Sequence, residues 1–283
     1  MQKAWYWPIY GEQDEIAFTF STSRGSDHIK KSLKGFEGTL LSDGYAGYDR
    51  YAKQINRHQC DPIIIQAQCW AHTRRYFVKA EDAESEAVAE ALEQIGLLYQ
   101  YEKEIRKLKE QEEKRKQKDP DALREKILKI RSEKSNPVVE SFFEWCYQQC
   151  QRTDLINSNP LSKALTYTAN HQQQLKTYLS DPDVPIDTNH LERALRVIPM
   201  GRKNWLFNWT EVGAEYVGVI QSLLTTCRLH NINPYTYLTD VLQRVGEHPA
   251  SRVEELTPRL WKEKFADNPL QSDLSEFGKN GAV

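Results

Sequence analysis

The sequence has few cysteines and no long apolar run. Its 283 residues include five cysteines at irregular spacing, an odd number that indicates no disulfide framework and favours a reducing compartment. No stretch approaches the roughly 20 apolar residues that a membrane-spanning helix needs. The first residues do not show the pattern of a secretory signal peptide, which is a charged segment, then an apolar segment, then small residues. We therefore expect a soluble protein that stays in the cytoplasm and has no membrane partner.

A strong excess of charge of one sign is also missing. The formal net charge is -2 although 28% of the residues are charged. A nucleic-acid partner would therefore have to bind a local basic patch, because the overall field does not attract it. The length is sufficient for one large domain or two ordinary ones, each with a real hydrophobic core.

The first quarter of the chain alternates short apolar strands with short helices. Two aromatic-rich strands, WYWPIY and IAFTFS, flank a turn and predict a β-hairpin. This alternation predicts a mixed α/β (α+β) sheet whose helical cover comes later in the chain. The predicted elements are strands at Trp5–Tyr10, Ile16–Ser21, Leu40–Leu41 and Ile63–Ala67, and helices at Asp27–Leu33 (capped by Ser26 or Asp27), Tyr48–Gln54 and Trp70–Lys79.

From Glu81 to Tyr178 no segment has the pattern of a strand. Apolar residues recur at spacings of three and four in this stretch, and the Asp119-Pro120 pair predicts the start of a second helix, so we expect a helical hairpin. The run from Glu102 to Lys118 is mostly charged, with Glu and Lys interleaved. It is typical of a solvated helix face, and contact with nucleic acid is the alternative.

The segment GTLLSDGYAGYDRY places Asp43 directly after a short apolar strand. An aspartate followed by Gly44 is typical of a turn, because its side chain bonds nearby backbone amides. The alternative is that the strand presents a catalytic carboxylate. That chemistry requires at least one more acid from a distant part of the chain to reach the same point.

A second informative segment is VPIDTNHLERALRVIPMGRKNWLF. Asp187 or Thr188 predicts the start of a helix whose apolar face continues to Ile198. Glu192 falls in its first turns, where the helix dipole favours a negative side chain. A surface ion pair with Arg193 or Arg196 is the simpler explanation for a glutamate at position 192. Downstream, two cations stand beside an aromatic residue, a combination that suits phosphates and exposed bases, or else forms a basic loop whose tryptophan packs on the core. These residues are Arg202, Lys203 and Trp205.

The motif CWAHTRRYF combines a possible metal-ligand pair with two arginines. Cys69 and His72 could both bind zinc, but the sequence offers no second pair at suitable spacing, so a supporting role beside an acidic cluster or a DNA phosphate is favoured. Arg74 and Arg75 follow on the predicted helix. They could line the approach to a nucleic-acid site or form a solvated basic face.

Four strings, LLSDGYAGYDRYA, CWAHTRRYF, IDTNHLERALR and GRKNWLF, closely resemble motifs of the transposase family of insertion sequence 66, a group of bacterial DDE transposases, and occur in that family's order. The resemblance implies a ribonuclease-H-like catalytic core interrupted by a helical insertion between its last strand and its last helix. The implied parts are residues 1–80 (partial sheet region), 81–183 (helical insertion), 184–246 (helices that complete the core) and 247–283 (carboxy-terminal tail).

The same resemblance implies roles for two acids. Asp43 matches the second catalytic carboxylate and Glu192 the last, and both would hold Mg²⁺ or Mn²⁺ in a two-metal site. The implied activity is DNA strand cleavage and strand transfer at insertion-sequence ends. Its partners would be the end DNA and the target DNA, and the active form would be a homo-oligomer. DNA contacts are expected at Arg74, Arg75, Arg193, Arg196, Arg202, Lys203 and Trp205, with Cys69, His72 and Asp187 in support.

One family feature has no match in the sequence. The first catalytic aspartate of the family lies in an Asp-Glu-Thr motif on the first strand, upstream of the segment that Trp5–Tyr10 resembles, and Asp14 and Glu15 lie in the predicted hairpin turn instead. We therefore expect a truncated and catalytically incomplete copy that lacks the first strand. The alternatives are a non-catalytic DNA-binding or oligomerisation remnant that modulates an intact transposase, and a structural protein that associates through Leu98–Ile130.

Overall fold

The computed structural model describes residues 3–115, 119–205 and 210–272, with the backbone alone for 202–205. The described residues fall into two compact units. The terminal unit contains residues 1–24 and 191–283, and the central unit contains residues 25–190. Both combine helices with a two-stranded sheet, which confirms the predicted mixed α/β class, although helix predominates.

The regular elements follow one another as short strands and then helices. The strands are β1 (Trp5–Tyr10), β2 (Ile16–Ser21), β3 (Gly38–Ser42) and β4 (Ile64–Gln68). The α-helices are α1 (Ser26–Ser32), α2 (Ala46–Asn56), α3 (Trp70–Val78), α4 (Ser85–Glu113), α5 (Pro120–Ile130), α6 (Asn136–Cys150), α7 (Pro160–Asn170), α8 (Gln172–Lys176), α9 (Asn189–Leu195), α10 (Val197–Trp205), α11 (Glu211–Leu229), α12 (Pro234–Arg244) and α13 (Pro258–Lys264). A π-helical turn, Arg131–Ser135, and two 3₁₀ segments, Thr177–Leu179 and Ala250–Leu256, complete the list.

In the terminal unit, β1 and β2 form the predicted antiparallel hairpin, and α11 packs against β2. Side-chain hydroxyls on α11 accept hydrogen bonds from backbone amides of β2. The amide of Ile16 donates to Thr226 Oγ1 at 3.2 Å, and the amide of Phe18 donates to Ser222 Oγ at 2.8 Å. Because an unpaired buried amide is costly, these hydroxyls stabilise β2 where no strand partner supplies an acceptor.

Gly218 allows α11 to approach β2 closely. A Cβ added there would lie 2.5 Å from the Phe18 carbonyl oxygen, whereas a Cβ at Gly96, on α4, would meet no atom within 4 Å. We expect Gly218→Ala to lower the free energy of unfolding by about 1–3 kcal/mol through overpacking. Gly96→Ala should raise it by up to about 1 kcal/mol, because alanine favours a helix over glycine. Urea unfolding followed by circular dichroism measures both, and a Gly218→Ala protein as stable as the wild type would contradict the packing.

In the central unit, β3 and β4 pair in parallel, with Gly38 opposite Ile64 and Ser42 opposite Gln68. The core beside them is aromatic and almost fully buried. Trp70 and Phe77 on α3 pack against Phe142 on α6, with ring centroids 5.4 and 5.8 Å from the Phe142 ring. The stretch from 81 to 178 contains no strand in its described part, as predicted, and its helices α4, α6 and α7 contribute side chains to this core.

Two predicted helix boundaries are wrong. The helix α1 begins at Ser26, and its N-cap is Gly25, which forms no side-chain cap bond, so neither Ser26 nor Asp27 is the cap. The predicted continuous helix through Ile198 is divided at Arg196 into α9 and α10. Pro199 lies in the first turn of α10, where it is tolerated because backbone N–H groups there have no intrahelical acceptor.

Candidate active site

Asp43 follows the last residue of β3 at the exposed end of the two-stranded sheet. Its Oδ1 accepts a hydrogen bond from the Tyr45 amide at 3.1 Å, and Gly44 has a φ of 83°, in the left-handed region that favours glycine. The local structure is therefore the predicted aspartate turn. The carboxylate is nevertheless exposed at a strand end, where a charged ligand could reach it.

The Asp43 turn is held by two residues that the sequence analysis did not single out. Gln68 ends β4, and its Nε2 donates to the hydroxyl of Tyr167 on α7 at 2.5 Å. That hydroxyl in turn donates to the Asp43 carbonyl oxygen at 3.4 Å. Because 124 residues separate Asp43 from Tyr167, no local pattern in the sequence indicates this contact.

Cys69 is fully buried and joins the start of α3 to the segment before α9. Its Sγ accepts from both the amide and the Oγ1 of Thr188, each at 3.3 Å, and the Trp70 amide donates to the Ile186 carbonyl at 3.1 Å. Burial raises the pKa of the Cys69 thiol. With two hydrogen bonds from Thr188, the buried sulfur acts as a structural acceptor in this structure.

This burial predicts selective thiol chemistry. In the folded protein we expect iodoacetamide to modify the exposed Cys60 readily and to leave Cys69 unmodified until denaturant is added. Mass spectrometry of peptides from the alkylated protein measures both sites in one sample, so Cys60 serves as the internal control. Rapid alkylation of Cys69 in the folded protein would mean that the contact with Thr188 opens readily.

Asp187 stabilises the start of the helix that carries Glu192. Its carboxylate accepts from the backbone amide of Asn189 at 3.0 Å and from the Asn189 side-chain amide at 2.5 Å. Tyr99 lies nearby, and burial together with the Asp187 charge raises the pKa of its hydroxyl. Asp187 therefore orders the backbone at the point where α9 begins.

Glu192 lies in the first turn of α9 and is half-buried, while Arg193 and Arg196 are exposed. This helix position agrees with the predicted one and favours a negative side chain. Glu192 belongs to the terminal unit, and Asp43 belongs to the central unit.

Arg74 and Arg75 are exposed on α3 beside an open pocket of about 310 Å³. The Nη1 of Arg75 lies 3.0 Å from the Nε2 of His72, so the motif histidine contacts an arginine. The pocket is lined by Ala71, Arg74, Arg75, Tyr99 and Asn189. Two guanidinium groups beside an amide and a phenol ring form a surface that suits a phosphate.

The remaining basic residues predicted to bind DNA are only partly described. The backbone of α10 extends to Trp205, but the side chains of Arg202, Lys203 and Trp205 lie outside the described residues.

The candidate metal ligands fit the expected ion in donor type. Asp43 and Glu192 provide carboxylate oxygens, which Mg²⁺ and Mn²⁺ prefer. In the described ranges, no three His, Cys, Asp or Glu side chains converge as a ligand set.

No helix in the described part of the chain is both long and apolar enough to cross a membrane.

Comparison with known proteins identifies the same family over most of the chain. The sequence model described as "Transposase IS66 family" matches residues 1–216, and the model described as "IS66 C-terminal element" matches residues 222–259. Asp43 and Glu192 both fall within the first match. No solved structure matches the chain significantly.

Three proteins of Sinorhizobium fredii (strain NBRC 101917 / NGR234) are similar to this chain. "Uncharacterized protein y4hP" is 31% identical over 273 residues, which is 92% of this chain and 46% of that protein. "Uncharacterized protein y4qI" is 30% identical over 271 residues, covering 92% of this chain and 47% of that protein. "Uncharacterized protein y4jD" is 30% identical over 252 residues, covering 87% of this chain and 46% of that protein. The chain thus spans about half the length of the curated relatives that it matches, and it belongs to the IS66 family of transposases.

Proposed function

We propose that this chain supplies part of the catalytic centre of a DDE transposase, which cleaves DNA at insertion-sequence ends and transfers the strands to target DNA. Asp43 and Glu192 are the proposed catalytic carboxylates. The observation that carries the proposal is the family match over residues 1–216, which includes both acids in motifs of the family. The exposed position of Asp43 at the end of β3 supports it further.

The chemistry explains why carboxylates are needed. Phosphodiester cleavage and strand transfer are in-line displacements at a polyanionic phosphate. Divalent ions, when bound, would supply activation of the attacking oxygen and stabilisation of the leaving one. In this chain, Asp43 and Glu192 would hold such ions. Arg74 and Arg75, exposed beside their pocket, would neutralise and orient DNA phosphates. Arg193 and Arg196, exposed on α9, would also bind phosphates.

We also propose that the core is ribonuclease-H-like and lacks its first strand within this sequence. In that fold the first strand lies in the middle of the sheet, between the antiparallel pair and the parallel pair. The described strands form one antiparallel pair, β1 with β2, and one parallel pair, β3 with β4. These pairings support the proposal. The first catalytic aspartate would then come from outside this sequence, and residues 81–183 would be the helical insertion.

The proposed partners follow from this activity. They are the DNA ends of the element, the target DNA and further copies of the transposase, acting in the bacterial cytoplasm. A second candidate function is a non-catalytic DNA-binding or oligomerisation remnant that modulates an intact transposase. It would require only the proposed DNA contacts, such as those of the exposed Arg74 and Arg75.

An assay with added first strand separates these functions. The purified chain is incubated with end DNA and Mg²⁺ or Mn²⁺, alone and with a family fragment that carries the first strand and its aspartate. We expect metal-dependent cleavage and joining only when the fragment is present. DNA binding without cleavage in either sample would support the remnant. Circular dichroism first establishes that the chain is folded. If the folded chain neither binds nor cleaves end DNA in either sample, the proposed function is overturned.

A further inference from the structure

The turn that carries Asp43 lies against the long helical stretch of the central unit. We infer that Tyr167, on α7, is a positioning residue that fixes this turn and thereby the direction of the Asp43 carboxylate. This role rests on the proposed function of Asp43 as a catalytic carboxylate. It would give residues 81–183 a direct part in the reaction, because α7 lies within them.

The hydroxyl of Tyr167 connects the ends of both strands of the central sheet. It accepts a hydrogen bond from Gln68 Nε2 at 2.5 Å, and it donates one to the Asp43 carbonyl oxygen at 3.4 Å. Gln68 is the last residue of β4 and is buried, so its amide is itself well fixed. The backbone of Asp43 is therefore tied to the neighbouring strand through one phenol oxygen.

Gly44 shows how closely the turn approaches these two groups. A Cβ built on Gly44 would lie 2.7 Å from the Tyr167 hydroxyl and would overlap the side-chain amide of Gln68. With its φ of 83°, this position also has a backbone conformation that other residues rarely adopt. The glycine after Asp43 thus serves the contact with Tyr167 as well as the turn.

The ring of Tyr167 is held in place by one ring on α3 and one directly after α7. It stacks on the Tyr76 ring with centroids 4.1 Å apart and planes inclined by 20°, and the ring of His171, which follows the last residue of α7, lies 4.5 Å away. The hydroxyl at the edge of this fixed ring donates to the Asp43 carbonyl oxygen. A fixed ring with a protonated hydroxyl can restrain the Asp43 carbonyl through a specific bond.

This restraint matters because metal-ion chemistry is sensitive to small errors of ligand position. Residues that orient metal ligands through hydrogen bonds commonly contribute about 10–100-fold to metal affinity or activity. Phenylalanine at position 167 would keep the ring stack and lose the hydroxyl. Tyr167→Phe therefore removes the bonds to Asp43 and Gln68 with little change in packing.

The first test measures the turn itself and needs no catalytic activity. Amide hydrogen exchange is followed by nuclear magnetic resonance in the full chain and in Tyr167→Phe, with Tyr147→Phe as the control, since Tyr147 is an exposed tyrosine on α6. We expect exchange at Gly44 and Tyr45 to accelerate at least about tenfold in Tyr167→Phe alone. Unchanged exchange there, or an equal acceleration throughout residues 25–190, would overturn the inference, since the latter indicates general destabilisation.

The second test addresses the reaction, with the chain supplemented by the fragment that carries the first strand. We expect Tyr167→Phe to lower kcat by about 10–100-fold, while KM for the DNA stays unchanged. If Tyr167→Phe loosened the Asp43 turn but kept the kcat of the wild type, the positioning role of Tyr167 would be overturned. A loosened turn in a protein whose wild type cleaves no DNA would instead overturn the proposed function and leave the restraint by Tyr167 supported.

Discussion

Replacing Asp43 by asparagine is expected to reduce metal-dependent cleavage of end DNA at least about 1000-fold in the supplemented chain. The substitution removes a negative charge that a divalent ion requires, and such ions stabilise the transition state by several kcal/mol. Each 1.4 kcal/mol corresponds to a factor of ten in rate. Glu192→Gln should have a similar effect for the same reason. Gel analysis of single-turnover cleavage measures both.

Two matched controls separate loss of a metal ligand from loss of surface charge. Asp61→Asn changes an exposed aspartate of the central unit, and Glu215→Gln changes an exposed glutamate of the terminal unit. Both variants should cleave within about threefold of the wild type, since isolated surface charges contribute little. If Asp43→Asn or Glu192→Gln cleaved as well as these controls, that residue would not be a catalytic carboxylate.

Replacing Arg131 by methionine is expected to destabilise the helical part of the central unit by about 3–5 kcal/mol. Arg131 is only 1% exposed and lies at the π-helical turn between α5 and α6. It donates to both carboxylate oxygens of Glu102, at 2.8 and 2.9 Å, and to the carbonyl oxygens of Tyr178 and Asp181, at 2.6 and 2.8 Å. Its loss would leave a largely buried carboxylate and two carbonyls without this partner. Urea unfolding followed by the helical circular dichroism signal measures the change.

The control for Arg131 lies on the same turn. Lys134 pairs with Glu104, and both side chains are more than two-fifths exposed. Lys134→Met should therefore change the free energy of unfolding by less than about 1 kcal/mol. The double variant Arg131→Met/Glu102→Leu should recover much of the lost stability, because the unpaired buried charge is then removed as well. Equal effects of Arg131→Met and Lys134→Met would contradict this account of the buried pair.

Much of the local structure could be predicted from the sequence because its signals are local. Alternating aromatic and apolar residues predicted the β1–β2 hairpin, and apolar spacings of three and four predicted the helices after residue 81. Asp119 caps α5 as predicted, with its carboxylate 3.0 Å from the Ala122 amide. The acid motifs were assigned through their resemblance to a family, and the family match is confirmed.

Contacts between distant segments could not be predicted in the same way. The bond from Thr188 to Cys69 spans 119 residues, and the bond from Tyr167 to Asp43 spans 124. Neither leaves a periodic signal in the sequence. Part of the charged run Glu102–Lys118 was likewise misjudged as simply solvated, because Glu102 pairs with a buried arginine and Glu112 accepts the Asp119 amide at 2.7 Å.

The central claim is that Asp43 and Glu192 each help to hold the divalent ions of the reaction. Iron-mediated cleavage tests it directly, because Fe²⁺ in place of Mg²⁺, with ascorbate and peroxide, cuts the protein backbone near the bound metal. In the supplemented chain we predict two cuts, both suppressed by excess Mg²⁺. The cut beside Asp43 should be lost in Asp43→Asn, and the cut beside Glu192 should be lost in Glu192→Gln. Cuts beside only one of these residues, or beside neither, would contradict the claim.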